Sequence, residues 1–378
     1  MISQGQEYLS GTTIARPRVP TIVENWLKSV DIRDLGRKRV KRERAPHANV
    51  RHLVILVLRH CRIAIVTLFA LACSDTGSRA NVFRVGLVTP GSVADAAWNS
   101  GAFRGLQQIR DSLHASVSQV EAHTPVEQEE ALRNYAAQGF DLVFGHGFKF
   151  QAPAERVSAE YPKTVFVVTS GERVVANVAP LVFRLYEASY LAGMVAGGLS
   201  KSGTIGFVGG IELPPIKDAY EAWVAGARAM NPKVLTRFTY LNSFDDVAAG
   251  REAALALIRV GADMLHHNAD AAALGVFQAV KESPGVYVFG ANADQSALAP
   301  DRVLGSAVID LPRAFVEVAR QVQSHTFVPR VESFGLKSRV VRYEPNPALT
   351  DRLSAPLQAR LRAAEDSIVA ADSSAGRR

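Results

Sequence analysis

The chain has 378 residues, a formal net charge of +7 and 48% apolar residues, which is long and apolar enough for one or two substantial cores. Residues 1–62 hold thirteen Lys and Arg against five Asp and Glu, so everything after them sums to about −1. The basic balance therefore belongs to the leader and gives no argument for a nucleic-acid surface on the rest. Only Cys61 and Cys73 occur, so beyond residue 73 the sequence excludes disulfides, thiolate nucleophiles and Cys-based metal sites.

Taken in chain order, the first feature is the run Arg37 to Arg44, read as a solvated charge cluster rather than a DNA-binding arm. Arg62 to Cys73 then reads as a charge, ten apolar residues, small residues and a cysteine, the layout of a bacterial lipoprotein signal. A spanning helix over 53–72 is a poor alternative. Arg59, His60 and Arg62 interrupt it, and a charge at mid-bilayer costs about 2.5–3.5 kcal/mol. Cys73 is thus expected to carry a lipid, with 1–72 as leader and 73–82 as tether. A leader this long exceeds any such signal, which places the expected translation start near residues 54–57, at Val54 or Val57.

From Phe83 onward, short apolar runs alternate with amphipathic segments. Strands are predicted at 83–89, 117–121, 141–144, 164–168, 203–208, 234–241, 264–267, 286–289 and 303–309. Helices are predicted at 96–114, 125–138, 153–160, 187–199, 216–230, 245–260, 271–282 and 312–324. This alternation predicts an α/β fold of doubly wound parallel sheets covered on both faces, and its extent predicts two lobes. Beyond Pro347 lies an Ala-, Arg- and Ser-rich C-terminal tail, 348–378, whose end from Ala370 is expected to be disordered.

Ligands of such sheets sit beyond the carboxyl ends of the strands. Those positions, 89–99, 145–148, 209–215, 268–270 and 290–294, are rich in Gly, Asp, Asn and aromatic residues. Glycine admits close backbone approach, Asp and Asn bind polar edges, and aromatic rings offer stacking faces.

The stretch from about Phe83 to Tyr343 resembles the basic membrane protein family of ABC-transporter substrate-binding lipoproteins, which includes purine nucleoside receptors. Asp95–Asn99, Gly139–Phe148, Asn177–Phe183, Glu187–Gly193, Gly206–Gly210, Asn231-Pro232, Ser243–Asp246, Gly250–Ala253 and Gly290–Gln295 carry the likeness by their order and spacing. The resemblance implies a type I periplasmic-binding fold, two lobes joined by three crossings. By that analogy 83–184 with 296–326 form one lobe, and 185–295 with 327–347 the other. It implies a monomer lipid-anchored outside the cytoplasm, which passes a small solute, a nucleoside or related base or sugar compound, to ABC permease and ATPase subunits. No catalytic residue, cofactor, metal or nucleic acid is expected.

For a nucleoside, Asp294, Asp270 and Asp95 are the carboxylate candidates for ribose hydroxyls. Trp98 and Phe148 are the candidate stacking faces, and Asn99 and Asn268 the candidate amides for the base edge. His146 and Gly210 complete the expected ligand-binding set. Asp294 ranks first, because a strand end and a lobe crossing should coincide there. Plainer readings stand beside these: Asp95 caps the following helix, Trp98 is core, and His146 is a hydrogen-bonded structural residue. His266 and His267 have no spaced partner that would make a zinc site. The family's nucleoside binders have an acid at Pro90, Gly-Gly-Thr at Asp270–Ala272, a Phe near Ala219 and a Lys near Ile309-Asp310.

Two other functions compete. A lac-repressor-type regulator shares the two-lobed fold, but residues 1–60 show no helix-turn-helix pattern and an export-like segment follows them. A nucleoside-cleaving enzyme or dinucleotide-dependent reductase would need a nucleophile–base pair or a complete glycine fingerprint, and Gly145-His146-Gly147 lacks the third glycine.

Overall fold

The computed structural model describes residues 82–95 and 97–375. The leader, Cys73 and the tether up to residue 81 lie outside them. The predicted alternation is present, with ends shifted by one to three residues. The first lobe begins with β1 (Arg84–Thr89), α1 (Trp98–Leu113), β2 (Ser116–Glu121), α2 (Pro125–Ala137) and β3 (Leu142–His146). It continues with α3 (Gln151–Ser158), β4 (Val165–Thr169) and β5 (Val178–Phe183). The second lobe follows as α4 (Leu185–Leu199), β6 (Thr204–Gly209), α5 (Pro214–Met230), β7 (Leu235–Tyr240) and α6 (Val247–Arg259). Next come β8 (Met264–Asn268), α7 (Ala273–Lys281), β9 (Tyr287–Asn292) and β10 (Val303–Ile309). The chain then returns for α8 (Leu311–Gln323) and β11 (Glu332–Phe334), crosses once more to β12 (Val341–Pro345), and ends in α9 (Ala355–Ala375).

Two six-stranded sheets result, in the orders β11-β5-β4-β3-β1-β2 and β12-β10-β9-β8-β6-β7. Every pairing is parallel except β10 with β12. The central strands are apolar runs because helices cover both their faces. All seven residues of β10 are buried, for example.

This pairing corrects the expected lobe limits. β10, placed by the sequence reading in the first lobe with 296–326, lies between β9 and β12 in the second sheet. An interior strand needs partners for the backbone groups on both its edges, and β9 and β12 supply them. The crossing comes after it, at Asp310, whose carboxylate accepts the Arg313 amide at 3.1 Å and starts α8. β11, expected in the second lobe, pairs with β5 in the first sheet. The three crossings are therefore at Arg184, at Asp310 and between Phe334 and Val341. The tail is corrected as well, since α9 is helical through Ala375.

Three apolar contacts hold this arrangement. In the first lobe α8 packs on α1, and Phe315 stacks on Phe144 at 4.1 Å between ring centroids with planes 1° apart. One buried cluster runs beneath the crossings and joins Leu87, Phe144 and Leu181 to Leu191, Ala307 and Val341. In the second lobe α4 and α5 touch backbone to backbone. A methyl group on Gly193 would overlap the Trp223 carbonyl oxygen and sit 2.9 Å from its carbon. That approach needs glycine.

Gly193→Ala should therefore destabilise the protein by about 1–3 kcal/mol, an overpacking penalty that outweighs the roughly 1 kcal/mol helix-propensity gain of alanine. Gly198→Ala, where the new methyl meets only side-chain atoms, those of Leu357 at 3.2 Å and Met230 at 3.5 Å, should be tolerated better. Denaturant midpoints of the two variants check this.

Candidate functional site

Loops at the carboxyl ends of β1 to β10 converge on one cavity of about 340 Å³, from Pro90 after β1 to Ile309 at the end of β10. Its first-lobe wall is aromatic. Trp98 opens α1 and lies over the His146 ring, with centroids 4.2 Å apart and planes at 23°, while Phe183 meets it edge-on at 6.1 Å. Phe148 follows β3 by way of Gly147, whose φ of +135° strongly favours glycine.

His146 is fully buried beneath this wall. Its Nε2 faces the Trp98 carbonyl at 3.2 Å and its Nδ1 the Thr169 hydroxyl at 3.0 Å. Burial pushes its pKa down to about 3, so the ring is neutral and supports the tryptophan rather than meeting solute. Asp95 also stands behind the wall. Its carboxylate accepts the amides of Ala97, Asn99 and Ser100 at 3.1, 2.6 and 2.9 Å, which fixes the start of α1 and so the position of Trp98. Asn99 is buried beside it, with an Oδ1 that has no hydrogen-bond partner among the described residues.

The second-lobe wall combines apolar side chains, Ile211, Leu213, Ile216 and Phe244 among them, with a polar cluster at the ends of β8 and β9. Asn292, at the end of β9, sits at φ +66°, a conformation asparagine tolerates. Its side-chain amide donates to Asn268 Oδ1 at 3.3 Å and to Asp270 Oδ1 at 3.1 Å, tying two neighbouring strand ends together. Burial pushes the Asp270 carboxyl up to about 8. The charges of Asp95 and Asp245 act in the same direction, and the Asn292 bond opposes them. At neutral pH this group is a protonated acid, able to donate as well as accept.

Of the residues expected from sequence, Trp98, Phe148, Asn268 and Asp270 line the cavity together. Asp95, Asn99 and His146 form the layer behind them. Gly210 acts indirectly, because a methyl there would overlap the Phe244 ring, and Phe244 lines the cavity in its stead. Asp294, ranked first, is the clearest departure. It is exposed, and its carboxylate binds the Ser296 amide and hydroxyl at 3.0 and 2.7 Å in a local turn. The neighbouring Gln295 turns inward instead, accepting the Ala291 amide at 3.0 Å and facing His267 Nε2 at 3.0 Å. Burial likewise lowers His267 to about 3 and His266 to about 4. Sequence reasoning missed Asn292, Phe244 and Asp245. Asn292 lies within a strand-end stretch already singled out, and Phe244 and Asp245 within a stretch that carries the family likeness.

Among the described residues no group of three or more His, Cys, Asp or Glu is placed to hold a metal ion. No helix among them is long and apolar enough to cross a membrane.

A family profile described as "ABC transporter substrate-binding protein PnrA-like" matches residues 82–373. The chain belongs to this PnrA-like family. It is 31% identical over 313 residues to basic membrane protein A1 of Borrelia garinii subsp. bavariensis, covering 79% of this chain and 88% of that one. It is 25% identical over 288 residues to a purine-binding protein of Brucella abortus, covering 75% and 81%. Among solved structures, an ABC-transporter solute-binding protein of Conexibacter woesei superposes with a TM-score of 0.63 at 29% identity, covering 77% of this chain and 97% of that one. The chain thus has the type I periplasmic-binding-protein fold, and its cavity lies between the two lobes.

The raised Asp270 pKa has a consequence for stability. The folded protein holds this proton to higher pH than the unfolded chain, where an aspartate titrates near 4, so Asp270 lowers stability progressively as pH rises from about 4 to 8. Asp270→Asn removes this loss. The melting-temperature difference between variant and parent should therefore grow in the variant's favour from pH 5 to pH 8, as measured without solute by calorimetry.

Proposed function

We propose that this substrate-binding protein captures a nucleoside or a related base–sugar compound and holds it between closing lobes for an ABC importer. The observation that carries the reading is the pairing of the Trp98 and Phe148 rings on one lobe with the Asn268, Asp270 and Asn292 cluster on the other, set among apolar neighbours such as Ile216 and Phe244. A base stacks on Trp98 and Phe148, and sugar hydroxyls pair with Asp270, Asn268 and Asn292. The volume lies within the roughly 300–1,000 Å³ range of small-molecule pockets. The purine-binding relative in Brucella abortus supports the same ligand class.

Pro90 and Ile309, which line the cavity, stand where nucleoside-binding members have an acid and a lysine. A carboxyl is nevertheless available, supplied from the opposite lobe by Asp270. Because the solute touches both lobes, it binds the closed form more tightly and shifts the population toward it. Nothing in this scheme breaks a bond in the solute.

The protein works outside the cytoplasm, anchored through lipid on Cys73, and hands its cargo to a permease and its ATPase. Cys73→Ser should move the protein from the membrane fraction to the soluble fraction of native cells, as seen by immunoblotting. Unchanged membrane retention would refute the anchor.

The ligand class is tested by thermal-shift and calorimetric titration with nucleosides, free bases, sugars and flavins. A nucleoside at a hundred times its Kd should stabilise the fold by about 2.7 kcal/mol. Trp98→Ala should weaken that binding roughly ten- to hundredfold, the worth of one base–aromatic stack. Binding of sugars alone, or undiminished affinity in the variant, would overturn the reading.

A further inference from the structure

Arg184 occupies the first crossing, and its side chain is only 16% exposed. Each of its three nitrogens meets a different segment. Nε donates to Glu187 Oε1 on α4 at 2.6 Å, Nη1 to the Ser333 hydroxyl on β11 at 3.0 Å, and Nη2 to Asp372 Oδ2 on α9 at 2.6 Å. Glu187 completes the set by accepting the Leu336 amide in the third crossing at 2.7 Å. The Arg184 amide itself donates to the Phe334 carbonyl at 2.8 Å. One planar cation thus fastens the first crossing to the third and to the carboxyl-terminal helix, a geometry that the single point charge of lysine does not reproduce.

The helix that brings Asp372 is anchored elsewhere. Arg360 on α9 donates to the Ala229 carbonyl of α5 at 2.9 Å, and Leu357 packs in the second-lobe core. Further along, Ile368 and Val369 pack on the cluster beneath the hinge. The helix therefore starts on the second lobe, and Asp372 near its end bonds Arg184 of the first crossing, which also holds Ser333 of the first-lobe strand β11. Meanwhile the lobes are drawn together, because Asp245 Oδ1 of the second lobe comes within 3.8 Å of where a methyl on Gly91 of the first would stand.

We propose that Arg184 and Asp372 are positioning residues for solute capture. The carboxyl-terminal helix latches two of the three crossings in the closed arrangement and so sets how readily the empty lobes part. The idea rests on the reading of this protein as a closing binding protein, but not on which solute it takes. Gly335 belongs to the same device. A methyl there would overlap Arg184 Nη2 and lie 2.5 Å from Glu187 Oε2, forcing the pair apart.

The test is an interlobe distance measured without solute. Spin labels on Val126→Cys and Lys217→Cys, exposed on α2 and α5, are read by pulsed electron paramagnetic resonance in the full chain with Cys61 and Cys73 replaced by Ser. Asp372→Asn leaves Arg184 its Glu187 partner and so spares the fold, and Gly335→Ala disturbs the latch by steric means alone. Both should lengthen or broaden the distance distribution relative to the parent, whereas Asp366→Asn, an exposed acid on the same helix, should leave it unchanged. Each latch variant should also raise the apparent Kd by one common factor, threefold or more, for every solute that binds, since only the competent fraction changes. An unchanged or shortened distance in both variants overturns the proposal, as does a change in the ranking of solutes. Failure of nucleosides to bind would refute the ligand class and leave the distance test intact.

Discussion

Parallel pairing is the constraint from which the binding cavity follows. In a parallel sheet every strand ends on the same edge, and here ten strands from two sheets turn those edges toward each other. Each strand end contributes a loop residue, so one cavity collects side chains from positions scattered over some 220 residues. The helices that parallel connection requires pay for this convergence by covering both sheet faces, and they leave only the strand ends for the solute. The hinge then adds one further requirement: the two edges must approach without separating the apolar cluster beneath the crossings.

Much of this fold was legible because buried parallel strands announce themselves as apolar runs between amphipathic helices. The segments that escaped lack that signature. β5 carries Pro180, which has no amide to donate; β11 has three residues; β12 alternates with charged Arg342 and Glu344. The last helix, α9, is rich in Ala, Arg and Ser and hardly amphipathic, and so reads as a tail. Lobe assignment failed for β10 for a different reason. A sequence shows that a strand is buried, but not which of two sheets buries it.

The site was legible to the level of loops and not of side chains. Trp98, Phe148, Asn268 and Asp270 could be named because strand ends are where such sheets bind. Asp294 and Gln295 show the limit of that rule. Two or three residues past a strand, the direction of a side chain depends on the turn that follows, and here the buried residue is the amide and the exposed one the acid. His146 and Asp95 illustrate a second limit. Both are polar and adjacent to the site, yet each has its hydrogen-bonding capacity committed to holding Trp98 in place, which only coordinates reveal.

The late return of the chain to the first sheet sets an order on folding. β5 has its outer edge bare until Glu332–Phe334 arrives, about 150 residues downstream, and α8 must come back to cover α1. Contacts of such long sequence separation form slowly, because the loop must close before any pairing compensates for its lost freedom. A nascent chain therefore lacks a finished first lobe until nearly all of it has been made. On the proposed reading of an exported protein, that delay keeps the chain open while it crosses the membrane.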